Sequence, residues 1–156
     1  MTKNAFDSRR WVLPVVSIIP ILAIAFAFSL GPSPRKRLQV VYQAEKVDPA
    51  KLDELASLGQ PLFQALVEDV QQPDVPHRAA LIGFLGDRKH QAAAPVLRRL
   101  ASAPLEPAAV RMASFKALRQ IDPKGVRELA QSLREEAGPL GQAARAMLAE
   151  LSSDQS

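Results

Sequence analysis

Trp11 to Leu30 run for twenty positions without a charged side chain, while from residue 48 onward apolar residues recur three and four apart between polar ones. The first pattern predicts a segment about 30 Å long as a helix, the thickness of a bilayer's hydrocarbon core. Pro14 and Pro20 lie inside it, and membrane helices tolerate prolines that a soluble helix interior does not. The second pattern is that of amphipathic helices packed on one another. Proline, glycine and aspartate punctuate it. Asp48-Pro49 opens a helix that ends at Gly59, and Pro61 opens one whose face is Leu62, Ala65, Leu66 and Val70. A helix to about Leu85 follows the Pro73-Asp74-Val75-Pro76 turn, with Gly86-Asp87 behind it as the next turn. Helices are then expected over 92–101, 108–121, 122–136 and 141–151, seven in all, with no strand.

The pattern repeats. Leu52, Leu85, Leu118 and Leu151 stand 33 residues apart. Phe63, Val96 and Leu129 keep that register, as do Val67, Leu100 and Leu133, and Ala80, Ala113 and Ala146. Arg78 and Arg111 form a pair whose next member is Ala144. Seven helices at this period make three hairpins and a final half-unit. No hairpin covers its own apolar face, so neighbours must complete one continuous core.

His77-Arg78-Ala79-Ala80-Leu81 with Phe84-Leu85-Gly86-Asp87, and Val110-Arg111-Met112-Ala113 with Ala117-Leu118 and Ile121-Asp122, resemble HEAT-like repeats. The resemblance covers roughly 48–152 and is strongest over 74–136. It implies an all-α fold, a short right-handed α-solenoid of about three and a half helical hairpins, here following a single transmembrane helix. It also implies protein binding, with the second helices of successive hairpins lining a concave partner-binding side. Tetratricopeptide repeats have a similar period, but their Trp-Leu-Gly-Tyr pattern is absent. Some relatives of HEAT-like repeats are bilin lyases, so an enzyme acting on an open-chain tetrapyrrole is an unfavoured alternative.

The predicted organisation is a tail over 1–10, an anchor over 11–30, a basic juxtamembrane linker over 31–47, the repeat domain over 48–152 and a disordered tail over 153–156. In the linker, Leu38 to Tyr42 fits a short strand or a helical turn on the surface. Arg35, Lys36 and Arg37 are placed to meet lipid headgroups. Ala25-Phe26-Ala27 matches a signal-peptidase pattern, but the apolar run continues past it, which favours a retained single-pass signal-anchor. Arg9-Arg10 abuts the run and resembles a twin-arginine export signal, which puts the N-terminus in the cytoplasm. The expected location is a bacterial inner membrane with the repeat domain on the periplasmic side.

Charge sharpens this division. The net charge is +4, yet residues 1–47 hold seven basic side chains against two acidic ones, and the remainder thirteen against fourteen. The repeat region is therefore nearly neutral and has few aromatics, which argues against nucleic-acid binding. The chain has no cysteine and two histidines, His77 and His90, which read as solvated loop residues. Glu135-Glu136 and Asp53-Glu54 are sequence neighbours, which point to different sides of a helix. No phosphate loop or nucleophile elbow occurs, so no enzyme activity, cofactor, metal or small-molecule substrate is expected. The expected role is a membrane-anchored scaffold for a protein partner, or a small accessory subunit of an integral membrane complex. The candidate contact residues are Arg98, Arg99, Arg127, Gln131 and Arg134 on the second helices, meeting an acidic protein surface, while Gln64 and Glu68 make the first of those helices more acidic.

Overall fold

Prolines at the first helical turn and aspartate caps set most of the helix starts in the computed structural model, which describes residues 33–153. Eight α-helices follow one another, and no strand occurs among the described residues: α1 (Pro34–Tyr42), α2 (Pro49–Ala56), α3 (Gln60–Asp69), α4 (Arg78–Asp87), α5 (Ala94–Ser102), α6 (Ala108–Ile121), α7 (Pro123–Leu133) and α8 (Pro139–Ser153). A 3₁₀ turn over Gln91–Ala93 leads into α5. The Asp48 carboxylate accepts the Ala50 amide at 3.0 Å, and Asp122 accepts Gly125 at 2.9 Å. Both aspartates thus satisfy an amide of the first turn that has no partner within the helix.

The hairpins are α2–α3, α4–α5 and α6–α7, with α8 a first helix left without its partner. The most extensive packing is between α4 and α6, then α5 on α6 and α7 on α8. Among first helices the spacing of 33 holds. Leu85 and Leu118 are fully buried, Leu52 nearly so, and Leu151 packs against the core from its edge. A second column, Leu81, Ser114 and Met147, runs one turn earlier and is also buried. Ala80 and Ala146, one position before that column, face outward. Among second helices the register holds only between α5 and α7, where Ala93, Leu97 and Leu100 match Val126, Ala130 and Leu133.

Hairpin one slips by two residues. In and just after α3, Leu62, Leu66 and Val70 are fully buried and align with Ala93, Leu97 and Ala101 at a spacing of 31, while Phe63 and Val67 are only partly buried. Contact with the neighbouring helix decides the register, and sequence period follows it only where the connections match.

The expected linker holds a helix instead. Leu38 and Val41 of α1 are buried and belong to the same core as the repeats, and the helix packs on α2 and α3. Residues 34–42 therefore close the first end of the stack. The helix expected over 122–136 stops at Leu133, and the last one begins at Pro139, ahead of Gly141. The expected transmembrane anchor over 11–30 and the tail residues 154–156 lie outside the described residues. Among the described residues no helix is long and apolar enough to cross a membrane.

Gly86 was expected in a turn but closes the last turn of α4. A methyl group there would approach the Cα and Cβ of Ala117 on α6 to 2.8 Å. The glycine is needed for close helix contact, and the left-handed residue of the turn is Lys89, at φ 48°. Lys89 and His90 donate their amides to Gly86 and Leu85 at 2.8 and 3.1 Å, the two bonds of a Schellman turn. Gly83, one turn earlier, would carry a Cβ with nothing within 4 Å. Two alanine substitutions on one helix should therefore have opposite signs. Gly83→Ala should stabilise by about 0.5–1 kcal/mol through helix propensity. Gly86→Ala should destabilise by about 1–3 kcal/mol by overpacking. Urea unfolding of the two variants checks this.

Candidate functional site

Three kinds of local geometry bear on function: a repeated internal clamp, the expected arginine face, and a groove beside an aromatic stack.

The clamp starts from Arg78 at the first position of α4, which is only 5% exposed. Its Nε donates to the Val70 carbonyl at 3.1 Å, where α3 ends. Its two terminal nitrogens donate to both oxygens of Glu106 at 2.8 and 3.0 Å. Glu106 lies between α5 and α6. One guanidinium on the second hairpin thus ties the end of the first to the connection that leads into the third, with the bidentate geometry that makes such carboxylate pairs strong. The carbonyl end of α3 is also where a positive charge is favoured by the helix dipole. Arg111 repeats the arrangement on α6: Nε donates to the Ala101 carbonyl at 3.0 Å and a terminal nitrogen to Glu136 at 2.7 Å. The acceptor carbonyl lies eight residues before Arg78 but ten before Arg111, the same two-residue slip seen in the core. At the third register position Ala144 is fully buried, and the neighbouring Arg145 donates to the Arg134 carbonyl instead.

Arg98, Arg99 and Arg134 of the expected arginine face have separate partners within the chain. Arg98 of α5 reaches forward, donating to the Asp122 carboxylate at 3.0 Å, on the residue that caps α7. Its neighbour Arg99 reaches back to the Gln71 side chain at 2.7 Å. Arg127 and Gln131 lie on α7 and line a depression of about 170 Å³ with Leu148, Leu151 and Ser152 of α8. Arg134 follows the end of α7 and pairs with Glu135 at 2.9 Å, both largely exposed. Glu68 is also engaged, with Arg35 of α1. All three of the basic triplet at the start of α1 are exposed; Arg35 pairs with Glu68 and lies 3.8 Å from Asp69, whereas Lys36 and Arg37 have no ion-pair partner among the described residues. Of the adjacent carboxylates of the sequence, Asp53 pairs with Arg88, Glu135 with Arg134 and Glu136 with Arg111.

Sequence reasoning missed a groove of about 510 Å³ between α2 and α4. Val47, Leu52 and Phe84 give it an apolar lining, Ala80 and Gly83 leave it open, and Asp53, Asp87 and Arg88 rim it. The small residues on the outer side of α4 are the signal that marked it. Beside the groove, Phe84 stacks at 6.1 Å on Phe63, which stacks at 4.9 Å on His90, and the Arg88 guanidinium lies 5.4 Å above Phe84. Neither histidine is a solvated loop residue. His90 is half-buried, its Nε2 has no hydrogen-bond partner, and burial lowers its pKa below 6.5. His77, left-handed at φ 58°, donates from Nε2 to the Ala44 carbonyl at 2.8 Å and so ties the segment after α1 to the start of α4. Between α1 and α3, the Tyr42 hydroxyl donates to Asp69 at 2.6 Å; burial and that carboxylate raise its pKa.

Helical hairpins joined in series, with the same arginine tie recurring from one to the next, define an α-helical repeat protein of the solenoid kind. The chain belongs to the HEAT-repeat family: the family model described as HEAT repeats matches residues 59–149. The match spans α3 to α8, so α1 and α2 precede it. No curated protein and no solved structure gives a significant match. HEAT repeats generally mediate protein–protein interactions.

The stack around His90 has a consequence for pH dependence. Its folded pKa lies below the unfolded value of 6.5, so the unfolded chain binds the proton more readily. This contribution to stability is complete above about pH 6.5 and is lost as the pH falls through the lowered value. Thermal midpoints should therefore decline on mild acidification, before carboxylates titrate. His90→Phe keeps the stack on Phe63 and should flatten that part of the profile; calorimetry across the range checks it.

Proposed function

We propose that the protein is a membrane-tethered, non-catalytic scaffold that holds a protein partner in the groove between α2 and α4. The apolar run 11–30, flanked by basic residues, supports the tether, and Arg9-Arg10 beside it supports a periplasmic repeat domain on a bacterial inner membrane. Pairing of the neighbouring carboxylates with separate arginines supports a role other than catalysis. The family supports protein binding.

One observation carries the choice of surface. The α2–α4 groove sets apolar side chains, Val47, Leu52 and Phe84, beside charged ones, Asp53, Asp87 and Arg88, the mixed surface on which proteins bind one another. The second reading, an acidic protein surface meeting Arg98, Arg99, Arg127, Gln131 and Arg134, has support from the exposure of Arg98 and Arg134. It ranks second because Arg98, Arg99 and Arg134 already have internal acceptors. The partner is either recruited to the tether or held permanently as the rest of a membrane complex.

Gly83 offers a direct test, since a Cβ there meets nothing within 4 Å and a longer side chain extends into the groove. Full-length protein carrying Gly83→Arg, extracted in mild detergent, should keep its helical signal and lose the partner in a pull-down. The double variant Arg98→Glu/Arg134→Glu should keep it. Loss only in the double variant assigns binding to the arginine face, and full retention in both contradicts the scaffold surfaces proposed. Migration on a native gel separates recruitment, a near-monomeric band, from a fixed large assembly.

A further inference from the structure

We propose that the outward face of α1 is a docking surface for an anionic lipid bilayer, with Lys36, Arg37 and Val40 as its contact residues. The inference rests on the tethered reading and deepens it.

The inward side of α1 is fully used. Leu38 and Val41 lie in the core, Tyr42 donates to Asp69, and Arg35 is paired with Glu68 and, at 3.8 Å, Asp69. What remains faces away from the repeats. Lys36 and Val40 are four residues apart on one face, with Gln39 and Gln43 beside them and Arg37 at the edge, and all five are exposed. The helix contains no acidic residue, and among the described residues neither Lys36 nor Arg37 has an ion-pair partner. Val40 is 60% exposed, one of two large apolar side chains so exposed among the described residues. An apolar side chain between two long basic ones suits a headgroup interface, where Lys and Arg stems lie along the acyl boundary and their charges stay at the phosphates.

Chain position selects the occupant. α1 starts at Pro34, four residues after the apolar run ends at Leu30. On the tethered reading, a helix this close in sequence to the apolar run is kept within reach of the membrane surface. The charge fits phosphate-bearing lipid, and attraction to an anionic leaflet falls off within a Debye length. Arg35, read from sequence as part of the lipid-facing triplet, is exposed as well, but its charge is paired with Glu68 of α3.

The test uses full-length protein, whose lack of cysteine permits one labelled site. Gln43→Cys carries an environment-sensitive fluorophore on the outer face of α1, and Lys116→Cys on α6 serves as the control. Each is reconstituted into phosphatidylcholine vesicles, with or without phosphatidylglycerol, containing headgroup spin-labelled lipid. The expected result is quenching at position 43 in the anionic vesicles, weakened by salt, lost in Lys36→Glu/Arg37→Glu, and absent at position 116. Vesicle-bound protein without quenching at 43, or with quenching indifferent to phosphatidylglycerol and to the double substitution, overturns the docking surface alone. Protein that stays out of the vesicles on flotation overturns the tether, and the docking surface with it.

Discussion

A single buried guanidinium sets the geometry of this stack. Arg78 is almost wholly removed from water, so its donors need acceptors, and it finds them at the end of the first hairpin, on Val70, and in the connection that leads into the third, on Glu106. An isolated buried charge costs several kcal/mol, so the three hairpins are held at the spacing that keeps all three bonds made. Arg111 imposes the same condition one hairpin later. The apolar columns supply most of the driving force for burial, but they are non-directional, and residues such as Leu62 or Phe63 could serve at neighbouring positions. Directional bonds remove that freedom. The two-residue slip of the first hairpin shows the order of authority, since core and clamp shift together and the sequence period gives way.

Ends matter as much as interior ties in a repeat stack, because a terminal hairpin has one face without a neighbour. At the first end α1 provides the cover: two buried side chains on the core side, polar residues outside, and ties to α3 through Tyr42 and Arg35 and to α4 through the His77 contact with Ala44. On α8, the last of the described helices, the arginine of the clamp is replaced by the fully buried Ala144. The close approach of α4 and α6 at Gly86 and Ala117 leaves no room between those helices, whereas α2 and α4 leave a groove. The openness of the surface thus follows from where small residues permit contact and where they do not.

The helical class, the helix order and the first-helix register were legible from residue spacing. Proline and aspartate mark helix starts by local chemistry, and Leu52, Leu85 and Leu118 sit in the core because one-sided burial forces a periodic pattern. The helix at 34–42 was hidden. Leu38, Val41 and Tyr42 have helical spacing, but the neighbouring Arg35-Lys36-Arg37 is also the pattern of charge flanking a membrane segment. Gly86 looked like a turn because glycine serves both turns and close contacts, and only the position of Ala117 distinguishes them. The internal acceptors of Arg98 and Arg99 lie 24 and 28 residues away, off the period, so no pattern announced them. The groove left only a faint trace, the small side chains at Ala80 and Gly83, and which helix would face them could not be read from spacing.

Hydrogen exchange on Arg78→Met addresses the clamp most directly. The substitution keeps an apolar stem at the start of α4 and removes the donors that reach Val70 and Glu106. If one guanidinium holds three hairpins, amide protection should fall in α3 and α6 as well as in α4, by about 3–5 kcal/mol in opening free energy. Loss of protection confined to α4, with α3 and α6 exchanging as in the unaltered protein, would contradict it.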